Sequence, residues 1–198
     1  CGTHSTRRKG HNESGGANES YADIMGIMLG AYIEQKETGN LTTNWLMGDE
    51  AWTPGKPGDA LRYMDEPKKD NYSVDHYSEY PRQTEVHGSS GIMNNAFYQL
   101  AEASNDGKKA NSVSGIAVQD GIGLKKAFLI ASRGQMFYLN ANAKFEDVRE
   151  SWVKAATDLY GAGSTEVAKV KEAWDAVGVG KNAPMPQKKQ GGDLDLPP

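Results

Sequence analysis

Apolar residues recur at helical spacing in four segments of the second half of the chain. The segments are 89–103, 124–139, 145–161 and 164–178. In each, apolar side chains fall three and four positions apart, which predicts an α-helix with one buried face. Ser89 or Ser90 is expected to cap the first of these helices at its N-terminus. Gly161 and Gly178 stand where C-terminal caps are expected.

The first half of the chain has a different pattern. Residues 1–18 are polar and show no apolar period, which predicts a loop. Segment 19–34 is apolar on most faces, as is typical of a helix in the middle of a domain. Residues 40–80 are rich in Pro, Gly, Asp and Asn, so a long irregular loop region is expected there. Long loops of this kind often carry function or bind metal.

Composition limits the fold and the partners. The 198 residues, 37% of them hydrophobic, suit one moderate core, and with the helical pattern they predict a mainly α, bundle-like domain. A net charge of -4, with Lys and Arg scattered, argues against a nucleic-acid partner. The longest apolar run, 24–33, is too short for a membrane span. Residues 181–198 are rich in Pro, Lys and Gly, which predicts a disordered tail.

Four motifs follow one another in a definite order. They are GGANESYADIMG (15–26), EAWTPGKPGDALRYMDEP (50–67), VHGSSGIMNNAFYQL (86–100) and DLYGAGSTEVAKVKEAWDAVGVG (158–180). Together they resemble the C-terminal, mainly helical lobe of the thermolysin-like zinc metallopeptidases, over about residues 12–180. The resemblance implies one helical domain at 13–180, preceded by an unmatched segment, 1–12.

The resemblance implies a zinc ligand. In this family a helix with H-E-x-x-H supplies two zinc-binding histidines, and a later N-E-x-x-x-D helix supplies a third ligand. Asn18, Glu19 and Asp23 match the later motif, so Glu19 is the implied ligand. Asp23, one turn further on, is implied to hold the ring N–H of a ligating histidine. From the residues alone, both acids also fit a first helical turn favoured by the helix dipole.

The resemblance also assigns residues to the substrate. His87 matches the histidine that hydrogen-bonds the oxyanion of the tetrahedral intermediate, and Arg62 matches the arginine that binds a substrate carbonyl. The pocket for the apolar side chain after the scissile bond is implied to contain Met47, Ala51 and Leu61. From the residues alone, His87 also fits a solvated loop histidine, and Arg62 also fits an arginine in a surface ion pair. The three apolar residues also fit side chains that anchor a loop.

The chain departs from the family pattern at two catalytic positions. It contains no H-E-x-x-H, a motif that is expected before Cys1. Because the chain begins with Cys1 and shows no leader, we expect an N-terminal lobe to be missing. The family's D-N-G-G-V-H is replaced by RQTEVH: Arg82 stands at the place of the orienting acid, and Glu85 is the nearest acid. A different setting for His87 is therefore expected.

Calcium is a further expectation drawn from the resemblance. Of the family's paired-calcium acids, Asp49 and Glu50 remain. Thr53 and Asp59 offer oxygen atoms suited to a single calcium ion, and turn stabilisation without metal fits them equally well.

Two functional hypotheses follow. In the first, the chain is the C-terminal part of a secreted, extracellular zinc metalloendopeptidase that hydrolyses peptide bonds of peptide or protein substrates by metal-activated water. It would be inactive without a lobe carrying H-E-x-x-H. In the second, the chain is a non-catalytic remnant or helical interaction module of a degenerate peptidase. The unmatched start and the altered loop before His87 favour the second hypothesis.

Overall fold

The computed structural model describes residues 13–180, which form six α-helices, two short strands and two 3-10 helices. The predicted segment 1–12 and the predicted tail 181–198 lie outside the described residues. The mainly α fold is confirmed, as are the five predicted helical segments. The elements are α1 (Glu13–Thr38), β1 (Leu46–Met47), α2 (Asp49–Trp52), β2 (Arg62–Tyr63), 3-10 helices Pro67–Asp70 and Tyr77–Arg82, α3 (Val86–Ala101), α4 (Leu124–Tyr138), α5 (Phe145–Tyr160) and α6 (Thr165–Ala176).

Helix α3 is the centre of the domain, and its residues from Gly88 to Ala101 are all buried. It packs against α1, α4 and α6. Its buried amides need partners, because an unpaired polar group in a core is costly. Asn95 Nδ2 donates to the carbonyl of Asp65 at 3.2 Å, and Gln99 Nε2 donates to that of Lys109 at 2.9 Å. The central helix therefore anchors two of the long loops.

Aromatic side chains join the helices around α3. The Trp152 ring on α5 is fully buried, with its centroid 5.1 Å from that of Trp174 on α6 and 6.3 Å from that of Phe97 on α3. Its indole N–H donates to the Tyr21 hydroxyl on α1 at 2.9 Å. Such edge-on ring pairs add to the stability gained from apolar burial. These contacts fix α1 relative to the rest of the core.

Helix α1 begins at Glu13, so the predicted loop is wrong for residues 13–18. Distant contacts explain the earlier start. One Glu13 carboxylate oxygen accepts the Tyr77 hydroxyl at 3.0 Å, and the other accepts the Phe145 N–H at 2.9 Å. Glu19 thus lies beyond the first turn of α1. The helix dipole at the first turn therefore does not explain why an acidic residue stands at this position.

Helix α3 begins at Val86 with Glu85 as its N-cap, so the predicted cap at Ser89 or Ser90 is wrong. Both serines are buried inside the first turns. Their hydroxyls donate to the carbonyls of Val86, at 3.4 Å, and His87, at 2.7 Å.

The predicted irregular region, 40–80, contains a small hairpin. Strands β1 and β2 are antiparallel, with Leu46 opposite Tyr63 and Met47 opposite Arg62. This pairing holds Arg62 beside α1. Among residues 13–180, every helix is too short or too polar to span a bilayer.

Candidate active site

A cleft of about 660 Å³ opens where α1, β2 and the N-terminus of α3 meet. The implied zinc ligand, Glu19, and the two residues assigned to the substrate backbone, Arg62 and His87, line it together although they are far apart in sequence. Its other lining residues are Trp52, Leu61, Asp70, Tyr72, Ser73 and Glu85. Six of its nine lining residues are charged or polar, and Trp52, Leu61 and Tyr72 contribute apolar surface.

His87 lies between two glutamates. Its Nδ1 is 2.8 Å from Glu85 Oε1, and its Nε2 is 3.5 Å from Glu19 Oε2. The imidazole side chain is 54% exposed and that of Glu19 is 31% exposed, so both are accessible from the cleft. Because Glu85 holds Nδ1, it is Nε2 that faces the cleft beside Glu19.

The Glu85 carboxylate accepts four hydrogen bonds. Oε1 takes the His87 ring, while Oε2 takes the Tyr72 hydroxyl at 2.9 Å and the backbone N–H groups of His87 and Gly88 at 2.9 and 3.2 Å. Desolvation raises the pKa of Glu85, but the hydrogen bonds from His87, Tyr72 and the backbone outweigh it and lower that pKa to about 2. The carboxylate is ionised at neutral pH and acts only as an acceptor.

Asp23 and Arg62 form a two-point ion pair, of which Arg62 lines the cleft and Asp23 is buried behind it. Arg62 Nε donates to Asp23 Oδ2 at 2.8 Å and Nη2 donates to Oδ1 at 2.6 Å. Asn94 on α3 also donates to Asp23 Oδ2, at 2.8 Å, and the Ser20 hydroxyl donates to Asn94 Oδ1 at 2.6 Å. Within residues 13–180 the partners of Asp23 are thus Arg62 and Asn94, and no histidine contacts it.

Burial lowers the pKa of the Arg62 guanidinium, but Asp23 and then Glu19 more than offset this and raise it above its ordinary value. The ion pair uses Nε and Nη2 of Arg62. The remaining terminal nitrogen, Nη1, lies outside the pair.

The predicted apolar pocket residues do not converge. Leu61 lines the cleft with Arg62, whereas Met47 and Ala51 line a separate groove of about 860 Å³ between α1 and residues 42–51. The Met47 side chain packs against Gly26, since a Cβ placed on that glycine would lie 2.9 Å from Met47 Cε.

The cleft contains the carboxylate that the resemblance implies as a zinc ligand. Glu19 presents a half-buried carboxylate next to His87, which suits an anionic ligand at the edge of a metal site. Residues 13–180 bring together no group of three or more His, Cys, Asp or Glu able to hold a metal. Glu19 can complete a zinc site only with donors from outside the described residues.

Thr53 and Asp59, the predicted calcium pair, are bonded to each other and to protein donors in this structure. Asp59 Oδ2 already accepts the Thr53 hydroxyl at 2.9 Å and the Lys56 ammonium at 3.1 Å, and Oδ1 accepts the Tyr63 hydroxyl at 2.9 Å. The hydrogen bonds from Lys56, Thr53 and Tyr63 lower the pKa of Asp59 to about 2. A lysine ammonium thus supplies the positive charge in this loop.

Two residues that hold cleft side chains or their partners escaped the sequence interpretation. Tyr72 comes from a polar loop and had no local signal, yet its hydroxyl binds Glu85. Asn94 did carry a signal, because an asparagine on a buried helix must find a polar partner, and that partner is Asp23.

Comparison with known proteins places these residues in context. Residues 9–179 match the family model of the thermolysin metallopeptidase α-helical domain. The chain is 39% identical over 172 residues to the thermostable neutral protease NprT of Geobacillus stearothermophilus, covering 85% of this chain and 29% of the relative. It is 40% identical over 172 residues to bacillolysin of Bacillus cereus, covering 85% and 28%. The chain thus spans less than a third of the length of these curated relatives.

A solved structure has a similar fold. The precursor of protealysin, a metalloproteinase from Serratia proteamaculans, superposes with a TM-score of 0.62 at 24% identity. The match covers 85% of this chain and 51% of that chain.

Proposed function

The chain belongs to the thermolysin metallopeptidase family as its α-helical domain, and we propose that it forms the C-terminal wall of the active site of a zinc metalloendopeptidase. The observation that carries the proposal is the meeting of Glu19, Arg62 and His87 in one cleft, from three distant parts of the chain. Peptides or proteins are the proposed substrates. Family membership supports an extracellular location, which we include in the proposal.

In this proposal each of the three side chains has one task. Glu19 would hold zinc through its carboxylate, and zinc, when bound, would lower the pKa of a water molecule so that it can attack a peptide carbonyl. Arg62 would bind a substrate carbonyl through Nη1. His87 would donate from Nε2 to the oxygen on which negative charge develops, an interaction worth about 3 kcal/mol in related chemistry.

The protonation of His87 follows from its partner. Because the ionised Glu85 can only accept, the Nδ1 that faces it must carry a proton. Donation from Nε2 then requires the doubly protonated ring.

The missing zinc ligands are proposed to come from an H-E-x-x-H-bearing lobe. Helix α1, which carries Glu19, exposes four large apolar side chains along its middle: Met25, Leu29, Tyr32 and Ile33. Their exposed fractions are 52%, 61%, 49% and 53%. The prediction that segment 19–34 lies in the middle of the domain is therefore wrong for this face, which residues 13–180 leave uncovered. We place the missing lobe against this face, where it would bring two histidines towards Glu19.

A chimera tests the proposal. The H-E-x-x-H-bearing lobe of bacillolysin would be joined to residues 13–180 of this chain, loaded with zinc and assayed on a chromogenic peptide with an apolar residue after the scissile bond. We expect hydrolysis that is abolished by Glu19→Gln. Residues 13–180 without that lobe are expected to hydrolyse nothing.

The alternative is a non-catalytic helical module. The observation that favours it is the Lys56 ammonium, which donates to Asp59 Oδ2 at 3.1 Å in the loop where the resemblance implies calcium. A folded, zinc-bound chimera without hydrolytic activity would support this alternative over the peptidase.

A further inference from the structure

Glu85 has a second role that its position as a helix cap does not require. Ser, Thr, Asp and Asn are the side chains preferred at a helix N-cap, because they are short enough to reach the first free N–H groups. A glutamate is longer. Here Oε2 alone accepts the N–H groups of His87 and Gly88, and Oε1 extends to the His87 ring at 2.8 Å. The extra length of glutamate therefore allows its carboxylate to reach the His87 imidazole.

The carboxylate is held firmly enough to orient a ring. Oε2 has three donors, which are the two backbone N–H groups and the Tyr72 hydroxyl. Since these donors come from helix α3 and from a separate loop, the carboxylate cannot rotate without losing at least one of them. Oε1 is consequently fixed at the point where it meets His87 Nδ1.

His87 needs such a restraint because its ring is half exposed and no other described residue binds Nδ1. A half turn of the ring about its Cβ–Cγ bond would exchange Nδ1 for a carbon atom and move Nε2 away from Glu19. The hydrogen bond to Glu85 penalises that rotation. Arg82, where the family has its acid, is exposed and is a cation, so it cannot accept the ring N–H.

We propose that Glu85 is the positioning residue for His87, that Tyr72 orients Glu85 in turn, and that this pair replaces the acid absent at position 82. The catalytic consequence rests on the proposed function. The positioning itself does not, because it concerns the tautomer and orientation of one ring in the chain alone.

The test is the tautomer of His87 in the full chain, read from two-bond ¹H–¹⁵N correlation spectra at alkaline pH, where imidazoles are neutral. A His87→Gln spectrum assigns the signals. We expect the Nδ1–H form to dominate in the unmodified chain. In Glu85→Ser the short hydroxyl still caps α3 but cannot reach the ring, so the mixture should shift towards Nε2–H.

Two further variants and an internal control sharpen the result. Glu85→Gln keeps the length of the side chain and loses its charge, so it should retain part of the Nδ1–H preference of His87. It also provides the test if Glu85→Ser does not fold. Tyr72→Phe should weaken the preference less than Glu85→Ser. His76, whose Nδ1 accepts the Ser78 N–H at 3.2 Å, should remain Nε2–H in all variants.

The outcomes separate the two proposals. A dominant Nε2–H form of His87 in the unmodified chain, or a Glu85→Ser spectrum with unchanged His87 signals, overturns the positioning role. If the tautomer behaves as expected and the chimera hydrolyses nothing, the positioning stands and the peptidase proposal fails. In an active chimera, we expect Glu85→Ser to reduce kcat by about 10-fold to 100-fold with KM little changed, the range seen when an orienting partner is removed.

Discussion

Arg62 and Asp23 are joined by two nearly parallel hydrogen bonds of 2.8 and 2.6 Å, and this pair links the hairpin to helix α1. The Asp23 side chain is 3% exposed and that of Arg62 is 16% exposed. The charges are thus largely removed from water, and each is stable in its buried position because the other neutralises it. Because Arg62 lines the cleft, the pair also fixes its guanidinium there.

Removing one member of this pair should destabilise the domain strongly. For Asp23→Ala we expect a loss of about 3 kcal/mol in the free energy of unfolding, because Arg62 is left without its buried partner. Urea denaturation measures the change. The matched control is Glu172→Ala, which removes the half-exposed acid of an i,i+3 pair with Lys169 and should cost less than about 1 kcal/mol. Equal losses in the two variants would contradict the structural role of Asp23.

Close packing between α1 and α3 makes Gly16 sensitive to a single methyl group. A Cβ at Gly16 would lie 2.5 Å from the buried Ser89 Oγ and 3.3 Å from Phe145 Cζ. Gly16→Ala should therefore destabilise the domain by about 1–3 kcal/mol. In the control Gly30→Ala, on the same helix, a Cβ meets nothing within 4 Å. At Gly30 the better helix propensity of alanine should raise the free energy of unfolding by about 0.5–1 kcal/mol. Urea denaturation measures the change in both variants.

The Glu85 carboxylate should make stability depend on acidic pH. Its folded pKa, about 2, lies below the ordinary value of 4.5, so the folded state favours the ionised form. The contribution is present above about pH 4.5 and is lost as the pH falls towards 2. Urea midpoints measured between these limits should fall less steeply for Glu85→Gln than for the unmodified chain. Parallel curves would contradict the assigned hydrogen bonds.

Buried His76 should produce a second, separate pH dependence. Its ring contacts Gly178, and desolvation lowers its pKa despite the opposing charges of Asp75 and Glu79, while Lys68 lowers it further. Because the folded state favours the neutral ring, the contribution is present above the ordinary pKa of 6.5 and is lost as the pH falls below it. The slope of stability between pH 5 and 7 should decrease in His76→Gln. An unchanged slope would mean that another group titrates there.

Calcium should have little effect on the loop at 53–59. The Lys56 ammonium already neutralises Asp59, and both carboxylate oxygens are bonded to protein donors. We expect the same melting temperature in excess calcium and in excess chelator. A calcium-dependent rise in Tm that disappears in Asp59→Asn would show that the ion displaces Lys56.

Much of the fold was predictable because helices α3 to α6 show their buried faces as a local period. The start of α1 was not, since Glu13 is held by Tyr77 and Phe145, which lie far along the chain. The cap at Glu85 was missed for a related reason: glutamate is not a usual N-cap residue.

The candidate site depended on motifs, because no local pattern brings Glu19, Arg62 and His87 together. In the structure the three side chains line one cleft. The orienting function of Glu85 became visible only when the geometry placed Oε1 against the ring of His87. Met47 and Ala51 were grouped with Leu61 by resemblance, whereas in the structure they line a different groove.

The most direct test of the peptidase proposal is kcat/KM of the zinc-loaded chimera with and without His87→Ala. Loss of one donor to the developing oxyanion should lower kcat/KM by about 100-fold or more, with zinc content unchanged. If the His87→Ala chimera hydrolyses the peptide as fast as the unsubstituted chimera, the proposed role of this cleft is contradicted.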